Sequence, residues 1–245
     1  MRHLVLRLAS PLIAFGGETI DNQGVIRDFP ALSMLTGLIA NALGWDRAED
    51  ALHNRLQQRL RMGTVLEPMA RRQRSADAER LVDFQTAQLS AADRAWTTWG
   101  EPEKRGSGSG SYAGPHLRYR HYHAELTAWV ALYLDPMDEA PTLDAVACAL
   151  DRPVRPLFIG RKPCLPSGRL VAGWQEAEHV LGALQAWVRQ LPAGAQGWRA
   201  QWPEGQGELR SDRRSSLCDE RNWTSGMHGG WRPVREGLLM APEPA

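Results

Sequence analysis

The stretch from Met1 to Gly44 commits the chain to a strand followed by a helix, and no other segment constrains the fold as tightly. Leu4, Leu6 and Leu8 alternate with Val5 and Arg7 in the two-residue period of a half-buried strand. From Arg27 onward, in RDFPALSMLTGLIANALG, the period becomes helical: Leu32, Leu35, Leu38, Ile39, Ala42 and Leu43 fall on one face. Pro30 suits a first helical turn, where its missing N–H would have had no partner. Asp28 is placed to cap the orphan amides and Gly44 to supply a left-handed exit. The connection from Phe15 to Gly24 is polar, carries glycines and is too long for a simple strand-to-helix turn, which marks a loop with a task.

Arg47 to Leu60 reads as a second helix, with Ala48, Leu52, Arg55, Leu56 and Arg59 on a mixed face, and a short strand follows over Thr64 to Leu66. Between Met69 and Leu117 the character changes. Arg71, Arg72 and Arg74 form a basic knot, Asp83 to Thr86 reads as extended, and Gly106 to Ser111 is flexible by composition. This segment is an insertion projecting from a core. Regular structure resumes in RYRHYHAELTAWVALYL, Arg118 to Leu134, read as one long strand at the sheet centre. Leu143 to Leu150 forms a short helix, while proline and glycine keep Arg155 to Gly168 out of regular pairing. Glu176 to Val188 is the last helix. Beyond Leu191, short strands are expected around Trp198 to Trp202 and Leu209, then an irregular tail. The pattern strand-helix-strand, insertion, strand-helix-strand predicts an α+β fold with a ferredoxin-like (RRM-like) core over 1–68 and 118–190. An inserted thumb over 69–117 and an irregular, partly β C-terminal extension over 191–245 complete the expected organisation.

The 29 basic residues nearly cancel the 28 acidic ones, so a nucleic-acid reading must rest on local clusters. Only Lys104 and Lys162 are lysines. The positive side is therefore almost all arginine, which suits bidentate phosphate contacts, although GC-rich codon bias would produce the same excess. Cys148, Cys164 and Cys218 are scattered, odd in number and lack metal-ligand spacing, which excludes a disulfide framework or zinc knuckle and leaves no cofactor expected. No apolar run reaches the roughly 18 residues a bilayer span requires, and Arg7 and Pro11 interrupt the first apolar stretch. A cytoplasmic protein with no membrane partner is the expectation.

Two constellations carry possible chemistry. The first is a set of arginine-bearing loops: Arg27 before the first helix, Arg71, Arg72 and Arg74 in the insertion, Arg118 and Arg120 at a strand start, and Arg161 with Lys162. A single-stranded nucleic acid needs such cations along its backbone, with helix amino termini adding phosphate-binding amides. Taken one at a time, each cluster is an ordinary solvated face. The second is His116, His121 and His123, where a metal-independent ribonuclease would want a general base and acid. His121 and His123 lie on one side of a strand, but spacing fixes no partner acid near them. A small-molecule enzyme would need a convergent acid-base pair, and none is legible.

In order along the chain, LVLRLASPLIAFGG, FPALSMLTGLIANALGW, DFQTAQ, RYRHYHAELTAWVALYL and RPLFIGRKPCLPSG resemble the fifth Cas protein family in its type I-E form, the CasD subunits of CRISPR Cascade. The resemblance covers roughly the first three quarters of the chain. It implies a non-catalytic CRISPR RNA-binding subunit that holds the 5′ handle and caps the backbone filament of an antiviral surveillance complex. It further implies the Cascade backbone and large subunits as partners, with target DNA met through the assembled complex. By the same resemblance Gly16, Gly17 and Arg27 border the RNA path, Ser33 sits at the matched helix start, Gln85 and Thr86 lie in the thumb, and Arg161 with Lys162 approaches the handle. Arg71, Arg72, Arg74, Arg118 and Arg120 are added on electrostatic grounds. The alternative is a metal-independent endoribonuclease maturing CRISPR RNA, an activity of relatives in type I-C systems.

Overall fold

The computed structural model describes residues 1–17, 22–68, 79–87, 95–96, 102–103, 116–191 and 197–240. The chain begins β1 (Arg2–Ala9), β2 (Leu12–Ile13), β3 (Gln23–Gly24), α1 (Leu32–Leu43), α2 (Asp50–Arg59) and β4 (Leu60–Leu66). Next come β5 (Glu79–Ala87), β6 (Ala95–Trp96), β7 (Pro102–Glu103), β8 (His116–Ala124), β9 (Thr127–Leu134) and α3 (Leu143–Asp151). The last elements are β10 (Val171–Glu176), α4 (Val180–Val188), β11 (Trp198–Pro203), β12 (Arg213–Leu217) and β13 (Arg232–Leu239).

The architecture is mixed α+β, built on a seven-stranded sheet of order β10-β1-β9-β4-β11-β13-β12. Each neighbouring pair in it is antiparallel. The β9 strand lies between β1 and β4, with Val130 opposite Leu6 on one side and Thr64 on the other. Ala128 through Leu134 are all buried, so both faces of the sheet are covered at that strand. Helix α4 lays Val180 and Leu184 against Gly63 of β4, where a side chain would collide with them. A smaller sheet gathers β2, β3 and β5 around β8.

Several boundaries differ from the sequence expectation, each for a tertiary reason. The α1 helix starts at Leu32, with Ala31 at its cap and Pro30 outside it. Asp28 does not cap it. The amides of Leu32 and Ser33 instead donate to the carboxylate and main-chain carbonyl of Asp219, each at 3.0 Å. Gly44 does provide the left-handed exit, at φ 83°.

The expected long strand is two. Glu125 adopts φ 52° and its amide donates to the Pro11 carbonyl, so β8 and β9 enter different sheets. The second helix, α2, starts only at Asp50, leaving Arg47 and Ala48 outside it; Leu52 on it is exposed while Arg59 is fully buried, its guanidinium donating to the carbonyls of Pro136, Glu139, Ala140 and Pro141. The last helix is shorter than expected because Glu176 ends β10, and His179 caps it by accepting the Gly182 amide at 2.9 Å. Beyond Leu191 the tail is not irregular: β11, β12 and β13 extend the main sheet, whereas Leu209 lies outside any strand. Arg235 on β13 is buried and is balanced by Asp212 and Glu208, which makes an arginine-rich segment compatible with a sheet interior. Among the described residues no helix is long and apolar enough to cross a membrane.

Candidate nucleic-acid interface

The candidate residues gather around β8. Along one edge β8 pairs with β5, from Glu79 opposite Ala124 to Ala87 opposite His116. It also pairs antiparallel with β2 and parallel with β3, where Gln23 meets Tyr119 and Gly24 meets Arg120. Side chains alternate across a strand, so this register sorts the hairpin into two faces. One carries Asp83, Gln85, Arg118 and Arg120; the other carries Val82, Phe84, Thr86, Leu117 and Tyr119.

On the polar face Gln85 is held from both sides. Its Nε2 donates to Asp83 Oδ2 at 2.6 Å and its Oε1 accepts from Arg120 Nε at 2.8 Å. Arg118 is exposed, with Nη1 donating to the Leu117 carbonyl. The opposite face is apolar and open: Val82 is 52% and Phe84 53% exposed, and the Phe84 and Tyr119 rings lie 5.1 Å apart.

Arg161 reaches this sheet from the loop after α3. It is half-buried, donates from Nη1 to the His121 carbonyl and from Nη2 to the Gly24 carbonyl, both at 2.8 Å, and lies 5.0 Å from the Tyr122 ring centre. The guanidinium therefore clamps β3 to β8. Lys162 beside it is exposed.

The first loop folds back on itself. Gly16 bridges to Ile26, the Gly17 amide donates to the Val25 carbonyl and the Arg27 amide to the Phe15 carbonyl, which brings Gly16, Gly17 and Arg27 together. The Arg27 side chain donates to the Cys218 carbonyl at 2.8 Å. Asp28 lies between Arg80 of β5 and Arg199 of β11, at 2.6 and 2.9 Å. Burial alone would raise its carboxyl, but hydrogen bonds and charge from Arg199 and Arg80 outweigh that and hold it below the ordinary carboxylate value.

Ser33 is set apart. It is buried, and the α1 amino terminus already holds the Asp219 carboxylate, which is itself gripped by Arg232 through two 2.8 Å bonds. That terminus is not an open phosphate cradle. Arg71, Arg72 and Arg74 lie outside the described residues.

The histidine pair separates into two environments. His123 is 3% exposed and its Nε2 lies 2.8 Å from the Arg27 carbonyl. A carbonyl only accepts, so Nε2 carries the proton; Nδ1 is buried and has no partner among the described residues. Burial pushes the imidazole below its ordinary value and keeps it neutral. His121 is half-buried, with Nε2 3.3 Å from Gln23 Oε1. No trio of metal-ligating side chains occurs among the described residues.

Sequence reasoning missed Arg80, Arg199 and Asp219, which lock the loop and hairpin to the C-terminal strands. Nothing in their local sequence signals this, because each partner is distant along the chain. The pairing of Phe84 with Tyr119 was not legible, because the two lie 35 residues apart and only the β5–β8 register brings them together.

The overall mixed α+β fold resembles that of two solved structures. A chain of a CRISPR RNA-guided surveillance complex superimposes with a TM-score of 0.66 at 19% identity, covering 98% of this chain and 91% of that one. A Cas protein crystal structure gives a TM-score of 0.62 at 22% identity, covering 99% and 98%. These likenesses establish the class of fold. The chain belongs to the Cas5 family of CRISPR-associated proteins, whose family model, described as CRISPR-associated protein (Cas_Cas5), matches residues 3–235. No curated protein sequence matches.

Proposed function

We propose that this Cas5 protein is the type I-E, CasD-type subunit of a Cascade complex, a non-catalytic protein that holds the 5′ handle of CRISPR RNA and caps the backbone filament. The strand order β10-β1-β9-β4, with α1 and α3 in the crossovers, supports a ferredoxin-like core over 1–68 and 118–190. In this reading the β5–β8 hairpin is the base of a thumb spanning 69–117, and 191–245 is an extension that docks on the core sheet. The single observation that carries the reading is the convergence on β8 of the hairpin, the first loop and the Arg161 loop. On one face of the β5–β8 pair Arg118 and Arg120 offer cations, with Lys162 on the adjacent loop, and on the other the exposed Phe84 ring beside half-buried Tyr119 offers a stacking surface. The backbone and large subunits are the proposed neighbours, and target DNA is reached through the complex.

Binding of a repeat-derived RNA to the purified chain tests this against a scrambled strand of equal length. The double variant Arg118→Glu with Lys162→Glu is expected to weaken handle binding and flatten its salt dependence, since each lost phosphate contact lowers the slope by about one. Equal binding of wild type and variant at matched salt removes the reading. Endoribonuclease activity is the alternative outcome. Incubation with repeat RNA in chelator is expected to leave the RNA intact, because His123 is buried and already committed to the Arg27 carbonyl. Cleavage that disappears in His121→Ala would establish the enzyme instead.

A further inference from the structure

We propose that the cleft between the start of α2 and the 221–226 segment binds a nucleotide, with Arg47 and Arg221 holding its phosphate. The cleft has a volume of about 350 Å³, within the range of small-ligand sites, and is lined by Arg47, Ala48, Asp50, Trp223, Thr224 and Gly226. It shares no residue with the β8 interface, and the proposal does not depend on the handle reading.

Two guanidinium groups meet at Gly226. The place where a Cβ would stand on that residue is 3.2 Å from Arg221 Nη2 and 3.7 Å from Arg47 Nη2, so the two nitrogens are within about 7 Å of each other. One phosphate group spans that separation with hydrogen bonds of ordinary length. Arg221 is half-buried, lies 5.2 Å from the Trp223 ring centre, and its Nε is buried with no hydrogen-bond partner among the described residues. Burial, and then the nearby charge of Arg47, push its pKa down. A bound anion would offset the repulsion between the two guanidinium groups.

The wall behind the cleft is fixed in place. Trp223 donates its backbone amide to Asn54 Oδ1 and its indole N–H to Gln57 Oε1, each at 3.2 Å, and its ring lies tilted against buried His53 with centroids 4.6 Å apart. Gln57 also exchanges hydrogen bonds with the Arg221 backbone in both directions. The choice of a nucleotide over an acidic peptide rests on Asp50. Asp50 lines the same cleft and offers an acceptor to ribose hydroxyls or base amino groups, donors that glutamate side chains lack.

Isothermal titration of the full chain at low, matched salt, with adenosine 5′-monophosphate, inorganic phosphate and a glutamate-rich peptide, tests the assignment. The monophosphate is expected to bind more tightly than phosphate, and Arg47→Ala to weaken it by about tenfold or more. Arg47 is exposed, and a thermal melt of Arg47→Ala separates lost binding from lost fold. Asp50→Ala is expected to bring the monophosphate down towards phosphate without weakening phosphate itself. Absence of monophosphate binding, or binding indifferent to both Arg47→Ala and Arg221→Gln, overturns the proposal. A peptide that binds more tightly than the nucleotide also overturns it, in favour of an acidic protein partner.

Discussion

Arg161 donates one guanidinium nitrogen to the main-chain carbonyl of His121 and the other to that of Gly24, so a residue expected to face the RNA is a strut inside the interface. Its neighbour Lys162 has the opposite character, being exposed on the same loop.

The two are therefore expected to separate on mutation. Arg161→Ala leaves two carbonyls without their donors and is expected to cost about 2–4 kcal/mol in chemical denaturation. Lys162→Glu is expected to stay within about 0.5 kcal/mol of wild type while weakening RNA binding. An Arg161→Ala protein as stable as the parent would show that the clamp contributes nothing.

The contact of Asp219 with α1 should be a strong tertiary cap. Asp219 is 1% exposed and pairs with Arg232 while accepting the Leu32 amide. Asp219→Ala is expected to destabilise by about 3–5 kcal/mol, since it strands a partly buried guanidinium and uncaps a helix. A double-mutant cycle with Arg232→Ala apportions the ion-pair share, and additive losses would contradict the coupling.

Acid should weaken the fold through buried imidazoles. His3 and His123 both sit below 6.5, chiefly because burial penalises the charged ring. The unfolded chain takes up protons that the native state refuses, so stability is full above about pH 6.5 and falls as pH drops below it, until the folded pKa is reached. Each group contributes a slope of up to about 1.4 kcal/mol per pH unit in that window. In denaturation at pH 7.5 and 5.5, His123→Gln is expected to shrink the difference; an undiminished slope would mean that His123 is not the neutral, desolvated ring described above.

Phe84 should matter more to partners than to the fold. It is 53% exposed and its main ring contact is Tyr119, so Phe84→Ala is expected to cost only about 0.5–1.5 kcal/mol. Binding of handle RNA by the same variant should fall further than stability does. Loss of stability with unchanged binding would place the ring in structure alone.

What was legible in the sequence was local. The alternation of Leu4, Leu6 and Leu8 identified β1, the face through Leu35 and Ile39 identified α1, and Gly44 identified its end. The extended conformation of Asp83 to Thr86 in the insertion was also readable. The break at Glu125 was not, because apolar alternation runs through it and only the Pro11 carbonyl in space fixes the turn. The β12 and β13 strands escaped notice for a related reason: a buried Arg235 reads as a surface residue until Asp212 and Glu208 are brought beside it.

By itself the sequence determined the periodic elements and the ordered motifs by which the chain resembles its family, since both are properties of neighbours along the chain. Tertiary structure alone decided which cations are spent internally, such as Arg161 and Arg59, and which remain exposed, such as Lys162 and Arg118. The physical reason is that a guanidinium has the same charge in either place, and only the three-dimensional arrangement of carbonyls and carboxylates around it determines whether it acts as a strut or as a ligand for phosphate.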